Sequence, residues 1–283
     1  NTSLRWLCIQ YFSSAGFKQL HLRTQGVRKR ILDNIYEKDR DKPFTLMELR
    51  HIRKRRDAKV DIPESANGDI KALRQVFKFA VKYDLAITDP TKNIPYLKSN
   101  SEGFHSWTPE EVEQFTTRHK IGSKARLALA LVLYTGQRRS DIVLLGPQHA
   151  KDGWLTFTQT KNKSRKPVHL TIPILPELQE VLDQKKTGHL SYIITEFGKP
   201  FTSNGFGNWF RKRCNEAGLP QCSAHGLRKA GASIAAESGT TECQLIAISG
   251  RRSLKEVTRY TQIVRQKVLA ESSMKFLANG NKE

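Results

Sequence analysis

Residues Ser223 to Gln262 read SAHGLRKAGASIAAESGTTECQLIAISGRRSLKEVTRYTQ, a stretch that sets a histidine, two arginine sites and a tyrosine at spacings suited to phosphate chemistry. Ser223 is placed to cap a helix whose apolar residues Leu227, Ala230, Ile234 and Ala235 recur at helical intervals. Positions three apart on such a helix share a face, so His225 and Arg228 point the same way. An imidazole and a guanidinium fork beside a helix N-terminus form a site able to bind a phosphate and to move a proton near neutral pH. Tyr260 follows in SLKEVTRYTQ. A phenol, with an ordinary pKa of about 10, is a weak nucleophile until cations depress that pKa or a base takes the proton. The stretch supplies the cations. Taken singly, H-x-x-R recurs by chance and a tyrosine in a basic helix is commonly a half-buried anchor, so the weight falls on the rest of the chain.

The chain has 283 residues, enough for two domains with cores of their own, and its 38% hydrophobic content argues against disorder. A formal net charge of +21 and a pI near 10.0 call for a polyanionic partner, with nucleic acid ahead of a membrane surface. No apolar run reaches the roughly 18 residues of a membrane span. Cys8, Cys214, Cys222 and Cys243 show no C-x-x-C pair and no zinc-site spacing, and there is no secretory signal. They read as reduced, mostly core thiols in a cytosolic protein. The chain opens at Asn1 rather than Met, which leaves room for residues upstream.

From residue 1 to 96 the pattern is helical throughout and fits four helices. Leu4, Leu7, Cys8 and Tyr11 make one apolar stripe, and Leu20, Val27, Ile31, Leu32 and Ile35 a second. Thr45 and Glu48 have the spacing of a capping box ahead of LMELRHIRKRRDAKV. Ile70, Leu73, Phe77, Ala80 and Val81 carry a further helix toward a stop at Asp89-Pro90. Cations crowd this segment at Arg28, Lys29 and Arg30 and again at Arg50, Arg53, Lys54, Arg55 and Arg56. A charged helix is usually a solvated face, but two such runs in so basic a chain favour contact with a DNA backbone.

Residues 97–106, LKSNSEGFHS, lose periodicity and read as a linker. The segment 107–283 then opens with a capping box, Thr108-Pro109-Glu110-Glu111. KARLALALVLYTG is apolar nearly all round and must be buried, ending at Gly136. Gln137-Arg138-Arg139-Ser140-Asp141 follows at once, so a turn projects Arg138 from the end of a core helix, with Asp141 expected near enough to pair with it. WLTFTQT, KNKSRK and PVHLTIP give a β-hairpin or a three-stranded edge sheet with Lys161, Lys163 and Lys166 near its tip. LPELQEVLDQ is amphipathic, and 201–217 is a helix carrying Arg211, Lys212 and Arg213. Residues 263–277 again read as helix. No internal repeat is evident, and the strand and helix alternation of a doubly wound fold is missing. The fold class expected is mainly α with a small antiparallel β-sheet.

Five segments together resemble the tyrosine recombinases, the phage integrase family: FKFAVKYDLAITDP closing a helical region, then YTGQRRSDIVLL, QTKNKSRKPVHLTIP, HGLR and GRRSLKEVTRYT in the family's order. The resemblance implies a helical, SAM-like core-binding domain over 1–96 and a mixed α/β catalytic domain over 107–283. It implies Arg138 as the first arginine of the catalytic pair and Asp141 as its acidic support. Lys161 is the hairpin lysine, with Lys163 as rival; His225 and Arg228 are the H-x-x-R pair, and Tyr260 is the nucleophile. It implies cleavage without metal or other cofactor: the tyrosine attacks the scissile phosphate, forms a 3′-phosphotyrosine and releases a 5′ hydroxyl that the lysine protonates. The sequence likewise has no carboxylate cluster for a pair of magnesium ions.

The family commonly has Gly-His or Gly-Trp nine residues before the nucleophile, and here the place is Gly250-Arg251. Arg251 can donate to the phosphate and depress the pKa of Tyr260, but it cannot carry a proton near neutral pH. The partners implied are double-stranded DNA, the same chain in a homotetramer on DNA, and accessory DNA-bending or directionality proteins, with a monomer possible in solution. DNA contacts are expected from Arg53, Lys54, Arg55, Arg56, Lys163, Arg211 and Lys212. Ile263, Val264, Val268 and Leu269 would dock the last helix on a neighbouring subunit. The location expected is the cytoplasm, at the nucleoid. The activity expected is integration or excision of a mobile or viral element; a DNA-binding protein that has lost chemistry and a type IB topoisomerase are the alternatives.

Overall fold

A computed structural model describes residues 2–38, 42–99, 103–161, 163, 166–184, 187–250, 266, 269–271 and 273–275. The chain folds into two compact units, Asn1–Ser101 and Glu102–Glu283.

The first unit is helical: α1 (Leu4–Ser13), α2 (Ala15–Lys18), α3 (Leu22–Tyr36), α4 (Leu49–Asp57) and α5 (Pro63–Lys82). Helices α1, α3 and α4 all pack on α5. The α5 residues Ile70, Leu73, Val76 and Phe77 meet Leu4, Leu7, Leu32, Ile35 and Ile52 in one core, as spacings of three and four residues require of a helix covered on one face. Three sequence expectations are corrected. The cap of α4 is Glu48, not Thr45, which lies in a 3-10 turn over Phe44–Leu46; the Glu48 N–H donates to Nδ1 of His51 at 3.0 Å. Helix α5 stops at Lys82, well before Pro90, because Asp84 takes a left-handed φ of 56° and the N–H groups of Leu85 and Ala86 turn back to the carbonyl of Ala80. Val27, counted in the stripe of α3, is exposed.

The second unit holds α6 (Pro109–Arg118), α7 (Lys124–Thr135), α8 (Arg139–Ile142), β1 (Ala150–Lys151), β2 (Trp154–Thr158), β3 (His169–Pro173), α9 (Pro176–Asp183), α10 (Ser203–Glu216), α11 (Ala224–Glu237) and α12 (Glu242–Ser249). The strands form one antiparallel sheet in the order β1-β2-β3. Leu155 and Phe157 pair with Ile172 and Leu170 on the buried face, while Thr156 and Thr171 pair on the exposed one. Strand β1 is joined to β2 by Asp152-Gly153, both at positive φ (50° and 77°), a two-residue turn that matches strand twist. Helix α7 is sheathed on nearly every side and ends where Gly136 adopts a left-handed φ of 61°.

Two features place helix α11. The indole N–H of Trp107 donates to the carbonyl of Ser223 at 2.9 Å, and the Ser223 hydroxyl caps the helix by accepting from the Gly226 N–H at 3.2 Å. Gly231 lets the helix lie on α7, since a Cβ there would stand 2.9 Å from the carbonyl oxygen of Leu133. Trp107 is itself wedged in an aromatic cluster with Phe115 and Phe210.

The capping box at Thr108 gathers more than a helix start. Glu111 accepts from the Thr108 N–H at 2.9 Å, from Gln221 Nε2 at 2.7 Å, and pairs with His105 Nε2 at 2.7 Å. Burial alone would raise its pKa, but these hydrogen bonds and the imidazole charge outweigh it and hold the carboxyl below its ordinary range. A folded-state pKa below the unfolded one stabilises the fold above the ordinary carboxylate pKa of about 4.3, and that stabilisation is lost as pH falls toward the depressed value. Glu111→Gln is expected to flatten the acid side of the pH–stability curve below about pH 5, measured as urea midpoints across the acid range.

Candidate active site

The turn between α7 and α8 is fixed by buried polar contacts rather than by packing alone. Gln137 is fully buried: its Nε2 donates to the carbonyls of Thr135 at 2.8 Å and Ile248 at 3.0 Å. Its Oε1 accepts from Nε2 of Gln159 at 2.7 Å. Gln159 is 1% exposed; its Nε2 also donates to the Ser249 carbonyl at 2.9 Å, and its Oε1 accepts from Nη1 of Arg138 at 3.0 Å. Arg228, on α11 and 6% exposed, donates from Nε to the Gly136 carbonyl at 2.6 Å and from Nη2 to the same Ser249 carbonyl at 3.2 Å. The peptide oxygen of Ser249 therefore accepts from Arg228 directly and reaches Arg138 through one amide.

Arg138 is half-buried, and its guanidinium has no partner other than Gln159 among the described residues. The expected pairing of Arg138 with Asp141 is corrected. Arg138 is the N-cap of α8 with extended backbone (ψ 152°), so it does not lie on the helical face that carries Asp141. The buried Asp141 carboxylate turns instead to Thr160, accepting from its N–H at 2.8 Å and its hydroxyl at 2.7 Å. Together Gln159 and Thr160 clamp the end of β2 just ahead of Lys161. Lys161 and Lys163 are both exposed on a turn in which the Lys163 N–H donates to the Thr160 carbonyl at 3.3 Å.

His225 stands in the first turn of α11, exposed, its ring tilted on Phe104 with centroids 4.7 Å apart. Tyr260 and Arg251 lie outside the described residues, as do Ile263, Val264 and Val268; Leu269 is described and is 63% exposed. Of the expected DNA-contacting cations, Arg53, Lys54 and Lys212 are exposed. Arg56 is drawn into the fold, donating to the Pro95 carbonyl at 3.0 Å and pairing with Asp57 at 2.8 Å. Arg211 is exposed, with Nη1 on the Pro220 carbonyl.

Among the described residues, His105, Glu111 and Cys222 bring ligand-type atoms within 4.8 Å of one another. His105 Nε2 and the Glu111 carboxylate are hydrogen-bonded at 2.7 Å, and burial followed by the charge of Glu111 pushes the Cys222 thiol up to about 12. No helix among the described residues is long and apolar enough to cross a membrane. Cys8, Cys214 and Cys222 are buried, and Cys243 is exposed.

The family model for the phage integrase family matches residues 106–267, which span every element of this site. The chain belongs to the phage integrase family. Among solved structures, a lambda integrase dimer bound to a COC′ core site is 19% identical with a TM-score of 0.80, covering 91% of this chain and 94% of that one. A lambda integrase tetramer bound to a Holliday junction is 20% identical with a TM-score of 0.80, covering 91% and 77%. The Tn1549 transposon integrase in complex with circular intermediate DNA is 18% identical with a TM-score of 0.75, covering 92% and 95%. At such identities the likeness is one of fold, mainly helical with a small antiparallel sheet. No curated protein matches the sequence.

For this integrase-family chain, sequence reading passed over Gln137, Gln159, Thr160 and Ser249. A usable signal was present at Gln159: it continues the inward alternation of Leu155 and Phe157, so a polar side chain had to be buried and therefore bonded. Thr160→Val removes one of the two donors that Thr160 gives to the buried Asp141 while keeping the shape. The expected cost is about 1–3 kcal/mol, measurable as a lowered denaturation midpoint with an unchanged m-value.

Proposed function

We propose that the chain is a tyrosine-type site-specific DNA recombinase, an integrase that cleaves and rejoins strands through a 3′-phosphotyrosine intermediate to integrate or excise a mobile element. The observation that carries the reading is the convergence of Arg138 and Arg228, 90 positions apart in sequence, on Gln159 and the Ser249 carbonyl, immediately before Gly250-Arg251. Two guanidiniums fixed in this way can meet the charge that grows on the non-bridging oxygens of a phosphate in the transition state.

In this mechanism the hydroxyl oxygen of Tyr260 attacks phosphorus and the bond from phosphorus to the 5′ oxygen breaks. His225 takes the phenol proton, and Lys161, on the hairpin turn, gives a proton to the departing 5′ oxygen. Arg251 adds a donor where the family has histidine or tryptophan. The phosphodiester energy is kept in the tyrosine ester, so a 5′ hydroxyl from another duplex reverses the step and seals the exchanged strand. The positive charge is supplied by side chains, and activity is expected to survive a chelator.

Residues 1–96 act in this reading as the core-binding domain, with Arg53, Lys54 and Arg55 on the DNA backbone, and 107–283 as the catalytic domain, with Lys163, Arg211 and Lys212 adding contacts. Four copies assemble on two duplexes through the C-terminal helix, a reading supported by the lambda integrase tetramer on a Holliday junction. Accessory DNA-bending proteins would set direction, and the chain would act where the chromosome lies.

The test is a nicked suicide duplex carrying a site selected from random sequence. The wild-type chain is expected to form a denaturant-stable covalent adduct, in chelator as well, which Tyr260→Phe abolishes and Arg228→Ala slows by about 10²–10³-fold. Binding with no adduct on any selected site would favour a protein that has lost chemistry. Relaxation of supercoils without sequence dependence would favour a type IB topoisomerase.

A further inference from the structure

Every polar atom of the Gln159 amide has a described partner, and the pattern admits one orientation. Oε1 faces the Arg138 guanidinium, which only donates, and Nε2 faces the carbonyl oxygens of Gln137 and Ser249, which only accept. Turning the amide over would set N–H groups against a cation and an oxygen against two oxygens. Gln137 is locked in the same sense, its Nε2 being given to Thr135 and Ile248. Backbone shape makes room for this arrangement: a Cβ at Gly250, which has φ 60°, would fall 2.6 Å from Gln159 Nε2. The next residue along β2, Thr160, is tied to Asp141, and Lys161 follows.

We propose that Gln159 is a positioning residue that sets the Arg138 guanidinium against the scissile phosphate, using the end of α12 and the α7–α8 turn as its fixed reference. The proposal rests on the recombinase reading above. Gln159 touches neither the phosphate nor the nucleophile; it acts through Arg138. Oε1 holds one Nη1 donor and leaves the other donors of Arg138 for the anion. Because Nε2 is anchored to Ser249, the oxygen that also receives Arg228, the spacing of the two guanidiniums is transmitted through a single rigid amide. An arginine released from that acceptor keeps its charge but loses its aim, and a misplacement of about 1 Å costs roughly 100-fold in rate.

The experiment is a double-mutant cycle of Gln159→Met, an unbranched side chain of similar length, with Arg138→Lys. Single-turnover adduct formation is followed on the suicide duplex, alongside DNA affinity and the melting temperature of each variant. Gln159→Met is expected to slow adduct formation by about 100-fold, to leave DNA affinity within about threefold, and to cause no further loss once Arg138 is lysine, because residues acting as one unit are not additive. Unchanged cleavage by Gln159→Met overturns the proposal. So does a loss that multiplies independently with that of Arg138→Lys, or one confined to DNA affinity. If Gln159→Met melts below the assay temperature, Gln137→Met takes its place: it removes the acceptor that steadies Gln159 but leaves the Arg138 contact atoms intact, and it is expected to slow cleavage by about tenfold with the same non-additivity. Additive behaviour there also overturns the proposal. Failure of the wild-type chain to form any adduct is a separate outcome that sinks the recombinase reading itself.

Discussion

Burying the Arg228 guanidinium is the constraint around which the catalytic unit is arranged. An arginine at 6% exposure must find acceptors for its donors or cost the fold several kcal/mol. It finds them at two helix ends. Gly136 ends α7 and Ser249 is the last residue of α12, and carbonyls at a helix C-terminus have no intrahelical partner and carry partial negative charge. Both helices can stop sharply because Gly136 and Gly250 accept left-handed φ values of 61° and 60°. Each glycine thus has two effects. It ends a helix, and it leaves a carbonyl at that end, its own at Gly136 and that of Ser249 before Gly250, to the same guanidinium.

That arrangement explains what was legible in the sequence. The caps at Ser223 and Thr108, the C-terminal Gly136 and the nearly all-round apolar α7 are local signals, set by backbone chemistry within a few residues, and the structure has them where the sequence places them. Signals that depend on a partner far along the chain were not legible. Asp141 and Arg138 look like a pair from their separation of three, but the choice was decided by Thr160, 19 positions away, once Arg138 proved to be a cap rather than a helical residue. Helix α5 shows the same limit from another side. Its apolar pattern runs on through Leu85 and Ala86, but the chain has already turned at Asp84, so those residues pack against the core from outside the helix. Tyr260 and Arg251 were read from motif spacing and lie outside the described residues.

The sheet shows how one strand serves both folding and site. Along β2 and just beyond it, inward places go to Leu155, Phe157 and Gln159 in turn. The first two bury apolar surface against Ile172 and Leu170 and fix the register of the hairpin. The third keeps the inward direction but exchanges packing for hydrogen bonds. A slip by one residue would turn Gln159 to solvent and leave Arg138 and Gln137 without their partner, so apolar pairing two and four residues upstream holds the polar cluster in place.

Charge logic ties these observations together. The hydrogen bond described for Arg138 goes to the amide oxygen of Gln159, a neutral acceptor. A carboxylate in its place would hold the Arg138 guanidinium more strongly, but it would also cancel the field that a phosphate has to meet and would have to be displaced or repelled as the anion arrives. Neutral acceptors orient a cation without neutralising it. The nearby carboxylate, Asp141, gives one oxygen, Oδ1, to both the N–H and the hydroxyl of Thr160, which ties it to the end of β2 as a strut for the turn, while its buried Oδ2 has no hydrogen-bond partner among the described residues. In a chain with a formal charge of +21, concentrating positive charge is easy; holding the Arg138 cation still on a neutral acceptor is the harder requirement, and the buried amides of Gln137 and Gln159 are how this fold meets it.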